Sequence, residues 1–226
     1  MKVISSWSGG KDSCLACYKA IKEGHEVCFL LNFISEEYKR CCFHGVSSDI
    51  LRKQSEAVGI PIVQREVPAD MTGYEDKFKI AVSELIDKYD IKGMVFGDIY
   101  LDEHRNWVER VCNDLKITPL EPLWNKPAEN IVREFIDYGF KAIVISAKAD
   151  LFSEDFLGRE IDYSLVEELK KRNICLCGEN GEFHTFVYDG PMFKKSINIV
   201  ETDKLLKEGF WKHWFLDVKK YEEVLK

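Results

Sequence analysis

Six residues near the start of the chain, Ser8-Gly9-Gly10-Lys11-Asp12-Ser13, have the types and spacing to hold phosphate. They follow the apolar pair Val3-Ile4 and run into a helical pattern from Leu15 to Ile21. Adjacent glycines let the backbone take positive φ and come close to a ligand. Successive N–H groups in such a turn form an anion nest. The first turn of the following helix adds unsatisfied donors and the positive end of its dipole. The hydroxyls of Ser8 and Ser13 and the charge of Lys11 complete the set. Spacing excludes two other phosphate loops. A Walker A loop has a longer spacer between its first glycine and Gly-Lys-Ser/Thr. The dinucleotide fingerprint needs a third glycine in step, and none follows Gly10. The same residues would also serve as a solvent-facing turn with an Asp/Ser helix cap.

A second group of chemistry-bearing residues lies at Gly178-Glu179-Asn180-Gly181-Glu182-Phe183-His184-Thr185. Two carboxylates around a glycine turn, Glu179 and Glu182, would raise one another's pKa and so suit a base that takes a proton from an amine. A solvated acidic turn is the plainer use. Asp98 follows the apolar run Met94-Val95-Phe96 and Gly97, as a strand-end acid or a turn former. Arg105 and Glu109 are i,i+4 helix neighbours, placed for substrate or for a surface ion pair. His44 and His184 are candidate polar contacts, each equally suited to a structural role.

Eight cysteines raise two further options. Cys14 and Cys17 form C-x-x-C on one helix face, either a sulfur-chemistry pair or two small core residues. Cys41, Cys42, His44, Cys175, Cys177 and His184 lack the spacing of a zinc finger. The chain has 226 residues, a hydrophobic fraction of 46% and a net charge of −7. That length suits one large domain or two small ones. The acidity argues against a broad nucleic-acid surface. No apolar run is long enough for a membrane span, and the start of the chain lacks the look of a signal peptide, so a cytoplasmic protein with reduced thiols is expected. Nothing specifies an oligomeric state.

The elements that must position these residues alternate in the first half. Strands are expected at Val27–Ile34, Ile62–Val67 and Gly93–Gly97, with helices at Val46–Val58, Tyr74–Tyr89 and Tyr100–Leu115. Such alternation makes a parallel sheet covered on both faces, with ligands beyond the carboxyl ends of its strands. Prolines interrupt the pattern between Pro119 and Pro127. Beyond them, helices at Ile131–Tyr138 and Leu165–Lys171 accompany strands at Ala142–Ala147, Glu182–Tyr188 and Ile197–Val200. The aromatic tail from Gly209, with Phe210, Trp211, Trp214 and Phe215, is expected to pack against this second part.

In its strand–helix setting, Ser8 to Ser13 resembles the PP-loop of the ATP pyrophosphatases. Three further segments join it in order: Gly97-Asp98-Ile99 with Arg105-Asn106-Trp107-Val108-Glu109-Arg110-Val111-Cys112; Pro122-Leu123-Trp124; and Gly178 to Thr185 with Asp189-Gly190-Pro191. As a set, from Met1 to about Val200, they look like the diphthine–ammonia ligase family. The resemblance implies an adenine-nucleotide α-hydrolase-like α/β domain (residues 1–122), then a smaller α+β domain (123–226). It implies ATP and Mg²⁺, adenylation of a carboxylate, and amide formation with ammonium on diphthine-bearing elongation factor 2.

Under that resemblance, Ser8, Gly9, Gly10, Lys11 and Ser13 cradle pyrophosphate and Asp12 contacts Mg²⁺. Asn32, Phe33, His44, Gly97 and Asp98 border the nucleotide, although packing is the plainer use of Asn32 and Phe33. Lys11, Asp12, Arg105, Glu109, Glu179, Glu182 and His184 act at the reacting groups. Trp107 or Trp124 would meet a quaternary ammonium by cation–π contact. One position departs from the ligase pattern: His184 stands where the ligases carry glutamate. The acceptor therefore stays open between diphthine and another carboxylate. A tRNA-thiolating relative and a non-catalytic ATP-binding module are the other readings.

Overall fold

The computed structural model describes residues 1–42, 44–208 and 212–226. The chain forms two compact units. The first comprises Met1–Ser8, Asp12–Cys42 and Ile60–Asn125; the second comprises Gly9–Lys11, Phe43–Gly59 and Lys126–Lys226.

The first unit is built on a parallel sheet of β1 (Lys2–Ser6), β2 (Glu26–Ser35), β3 (Ile62–Val67), β4 (Gly93–Val95) and β5 (Thr118–Leu120). The strand order is β3-β2-β1-β4-β5, so the direction of winding reverses between β1 and β4. Helices α1 (Lys11–Lys22), α3 (Tyr74–Tyr89) and α4 (Asp102–Asp114) connect the strands. Alternate residues of β1 face opposite ways. Ile4 joins a core with Met94, Phe78 and Val82 of α3, and Val108 and Val111 of α4. Ser5, on the other face, hydrogen-bonds with Cys17 of α1. The sheet is therefore covered on both sides, as the alternation predicts.

The fifth strand is missed by sequence because Pro119 sits in its middle. In the sheet Pro119 pairs opposite Met94 at an edge. The bonds there are made by Thr118 N to Lys92 O (2.9 Å) and Phe96 N to Leu120 O (2.9 Å). No donor is asked of the proline, which is the condition under which a strand tolerates one.

In the second unit, α2 (Ser48–Val58) is capped by the Ser47 side chain and ended by Gly59 in the left-handed region. Helices α5 (Ala128–Asp137) and α6 (Tyr163–Lys171) accompany an antiparallel sheet. Its strands β6 (Lys141–Lys148), β7 (Phe183–Asp189), β8 (Lys195–Glu208) and β9 (Lys212–Leu225) lie in the order β7-β6-β9-β8. Sequence underestimates the β8–β9 ribbon, whose strands run 14 residues each. From Glu201 to Glu208 every β8 residue is exposed, so no burial alternation marks it. Trp214 and Phe215 pair with Ala147 and Ser146 of β6. Gly209, Phe210 and Trp211 lie outside the described residues. Among the described residues no helix is long and apolar enough to cross a membrane.

Phe78 is 2% exposed at the centre of the first core. Phe78→Ala is expected to destabilise the protein by about 3–5 kcal/mol. Denaturant unfolding checks this; a cost under about 1 kcal/mol would mean that the α3 contacts do not hold this core.

Candidate active site

The loop that follows β1 is clamped from within the second unit. Gly9 has φ +77°, and a Cβ there would lie 2.4 Å from Leu51 Cδ2 and 2.7 Å from Gln54 Oε1. Only glycine fits both the conformation and the space. The Gly9 carbonyl accepts from Val187 N (2.9 Å) and from Gln54 Nε2 (3.0 Å). Gln54 Nε2 also donates to Val187 O at 2.6 Å. The Lys11 N–H donates to Thr185 Oγ1 at 3.0 Å. The Lys11 ammonium donates to the Cys177 carbonyl and lies 5.5 Å from the centre of the Phe183 ring. Lys11 is 4% exposed, so its charge is anchored inside the unit. Sequence reasoning passed over Gln54, a fully buried polar residue. Its signal was its spacing: Leu51, Gln54 and Val58 fall on one helical stripe, where an amide has to find partners.

In the first unit, ligand-type groups gather at the carboxyl ends of the strands. Ser5 pairs with Val95, and Ser8 and Asp98 each lie three residues further on. This is the switch point of the sheet, where open α/β folds bind ligands. The Ser8 and Ser13 hydroxyls are 3.2 Å apart across the start of α1. A Cβ on Gly97 would meet Asp12 C and Ser13 N at 3.0 Å, so Gly97 lets that helix start sit against the end of β4. Asp98 Oδ1 meets His104 Nδ1 at 3.0 Å.

Glu121, directly after β5, was also missed. Its Oε1 is buried without a partner among the described residues. Burial raises its pKa, Arg105 opposes the shift, and Asp98 and Glu109 add to it. Arg105 bonds Glu109 at 2.8 Å and lies 4.9 Å from the Trp124 ring centre. One face of Trp124 therefore already holds a cation. Trp107 donates to Glu75 at 3.0 Å and packs against Tyr74 and Phe78. Asn32 and Phe33 serve the interior. The Asn32 amide donates to Trp7 O (2.8 Å) and Cys41 Sγ (3.2 Å), while Phe33 stacks on Phe78.

The glutamate turn belongs to the second unit. Gly178 and Gly181 have positive φ, and a Cβ on Gly178 would clash with Phe183 O at 2.6 Å. Both Glu182 oxygens accept from Asn180, one from its N–H (3.0 Å) and one from its side-chain amide (3.1 Å). Glu179, in the same turn, is half-buried. His44 and His184, distant in sequence, come together with ring centres 4.4 Å apart. Burial and then Lys11 push the His44 imidazole down to about 4. Burial pushes His184 well below the usual histidine value, helped by His44, Lys11, His213 and Lys148. Both rings are therefore neutral at pH 7.

Cys14 and Cys17 show no reactive environment. Cys14 and Cys17 are fully buried, and burial raises Cys14 well above the usual thiol value and Cys17 to about 12. A sulfur-transfer cysteine needs the opposite. Within either unit taken by itself, the described residues bring no three metal-ligating side chains together.

A family model described as the diphthamide synthase N-terminal domain matches residues 1–119, and one described as the diphthamide synthase C-terminal domain matches residues 127–224. The diphthine–ammonia ligase of Mus musculus is 32% identical over 91% of this chain and 85% of that protein. The Homo sapiens ligase is 31% identical over 91% and 85%. The Schizosaccharomyces pombe ligase is 30% identical over 92% of this chain, which spans 37% of that longer protein. A solved structure, a predicted tRNA methyltransferase subunit of Methanocaldococcus jannaschii, aligns over 83% of this chain and 96% of that one with a TM-score of 0.45 and 18% identity, too distant to add to the assignment.

Gln54→Leu keeps the shape of the side chain but strips two buried carbonyls of a donor. A loss of about 1–3 kcal/mol is expected in urea unfolding, and no change would mean that the clamp contributes nothing. On the native protein at pH 8, a thiol reagent should leave Cys14 and Cys17 unmodified and label them only after guanidinium unfolding. Peptide mapping reads this, and native labelling of either would reopen the thiol reading.

Proposed function

The chain belongs to the diphthamide synthase family, and on that premise we propose that it is an ATP-dependent ligase that adenylates a carboxylate and converts it to an amide with ammonium. The chemistry requires activation. A carboxylate is a poor electrophile toward ammonia because hydroxide is a poor leaving group. Attack of a carboxylate oxygen on the α-phosphorus forms the acyl-adenylate and releases pyrophosphate. Ammonia then attacks the acyl carbon, AMP departs and the amine loses a proton.

The observation that carries this reading is that Ser8 and the Asp12–Ser13 start of α1 lie at the switch point between β1 and β4. There the Ser8 and Ser13 hydroxyls and the N-terminus of α1 supply donors to the phosphates. Gly9 and Gly10 keep the backbone free of side chains at that point. Charge on the departing pyrophosphate is stabilised by donors already in place. Asp12 in the first turn, beside two serine hydroxyls, is a hard oxygen set that fits Mg²⁺. Bound there, the ion would neutralise phosphate oxygens. Residues 1–122 are then the ATP-binding part, and 123–226 carry the glutamate turn. Glu179 orients the amine, Arg105 and Glu109 act at the reacting groups, and Asp98 borders the nucleotide.

Diphthine on elongation factor 2, in the cytoplasm, is the first acceptor. A second acceptor class, another carboxylate, is favoured by one observation. His184 replaces the ligases' glutamate, and the groups acting on it are all basic. The buried state of Cys14 and Cys17 weighs against thiolation.

Product analysis decides between these readings. With ATP, Mg²⁺, ammonium and diphthine-bearing factor, AMP is the expected product, and none should form when the factor is omitted. AMP in both tubes would move the chemistry to another acceptor. ADP would overturn the reading, and bound but intact ATP would leave a nucleotide-binding module. Asp12→Ala is expected to lower AMP formation by about a hundredfold or more.

A further inference from the structure

We propose that the exposed half of β8 is the interface of a homodimer, in which β8 pairs antiparallel with β8 of a second copy about a two-fold axis at Leu205.

In the second unit β8 lies at the end of the sheet order β7-β6-β9-β8. Among the described residues the strand that pairs with it is β9, so its other edge carries no ladder. The start of β8 is covered from within the unit. Lys194 N, just before it, donates to Ala57 O of α2 at 2.7 Å, and α2 and β7 lie beside the strand. Residues 201–208 have no such cover and are exposed throughout. A long open edge is a template for another strand.

The open half carries two large apolar side chains at its middle. Leu205 is 38% exposed and Leu206 is 40% exposed, one on each face of the ribbon. Around them stand Glu201, Thr202, Asp203, Lys204, Lys207 and Glu208. A partner strand must therefore match charge as well as cover leucine.

Charge and backbone geometry together select a second copy and one register. In an antiparallel pair, facing residues point their backbone groups the same way, and that direction alternates along each strand. Two copies of one strand can therefore pair only when a central residue faces itself. Centring on Asp203 or Lys204 sets like charges against each other, which is unfavourable. Centring on Leu206 shortens the pairing, because Glu208 at the end of the strand then faces Lys204. Centring on Leu205 pairs residues 202–208 of both copies. Asp203 then faces Lys207 of the second copy, and Lys207 faces its Asp203, so one ion pair is made twice.

The local structure agrees with that register. The β8–β9 pairing shifts on either side of Glu201, so the regular strand resumes at Thr202, where the β8–β8 pairing begins. Asp203 is 3.6 Å from Lys219, whose nearer partner is Asp217 at 2.6 Å. The Lys207 ammonium lies 5.8 Å from the centre of the Phe215 ring. Leu205 pairs with Phe215 across the ribbon, so two leucines and two phenylalanines make one row on one face of the dimer. On the other face the stem of Lys204 from the second copy lies over Leu206. The two four-stranded sheets become one continuous sheet.

Sedimentation equilibrium of the full chain tests this. Wild type should approach twice the chain mass at about 100 µM. Asp203→Lys alone and Lys207→Asp alone each set like charges opposite one another twice, and each should weaken the dimer about tenfold or more. An equimolar mixture of the two variants restores opposite charge at both facing positions and should dimerise as wild type does. Without reductant, Leu205→Cys should form a covalent dimer beyond the wild-type background, because residue 205 faces itself within bridging distance, and Leu206→Cys should not. Both charged positions are exposed, and circular dichroism checks each variant's fold; the cross-linking judges the interface if a charge variant folds poorly. A single-chain mass for wild type at about 100 µM would overturn the proposal. So would a dimer indifferent to both charge variants, or cross-linking through Leu206→Cys in place of Leu205→Cys.

Discussion

A carbonyl buried in a left-handed turn must find donors, and that requirement at Gly9 shapes much of this protein. Two donors, from Val187 and Gln54, saturate the Gly9 oxygen. Gln54 reaches it from α2 and bonds Val187 O with its second hydrogen. The packing leaves no room for a Cβ at Gly9, so the sequence there has little freedom. The Lys11 N–H adds a third tie, to Thr185. Residues 9–11 consequently belong by contact to the second unit, although they follow β1 in the chain and Lys11 opens α1. A loop whose backbone is tied at Gly9 and at Lys11 is held in shape before a ligand arrives, which is the basis of electrostatic preorganisation.

The two units carry different charge environments. In the first, Asp98, Glu109 and Glu121 gather around Arg105 near the carboxyl ends of β4 and β5. In the second, imidazoles and ammonium groups act on one another without a carboxylate among them. Burial keeps the histidines neutral, whereas the Lys11 ammonium is satisfied at the Cys177 carbonyl.

Much of the architecture was legible in the residue pattern. The strand, glycine turn and helix around Ser8 to Ser13 follow from local φ preferences and capping, which act over a few residues. The parallel sheet follows from alternating periodicities, and α3 at Tyr74–Tyr89 from helical spacing of apolar residues. The same signals failed at β5, where a proline looked like a break, and along β8, where exposure erased the alternation. Those elements exist because a neighbouring strand pairs with them, and a single sequence does not display its neighbours.

The sequence by itself determined the phosphate loop, the fold class and the family-like set of motifs, because each rests on chemistry carried by adjacent or regularly spaced residues. Only the tertiary structure decided what those residues touch. Gln54 meets Gly9 across 45 positions and Lys11 meets Thr185 across 174. His44 packs at a tilt against His184 from a distant turn, and Ser146 pairs opposite it through strand register that no local pattern encodes. Nor could composition tell that Cys14 and Cys17 would be sealed in the core, or that Trp124 would already hold a guanidinium. The physical reason is the same in each case: propensity and periodicity are short-range, while burial and the electrostatics it strengthens depend on which distant segments pack together.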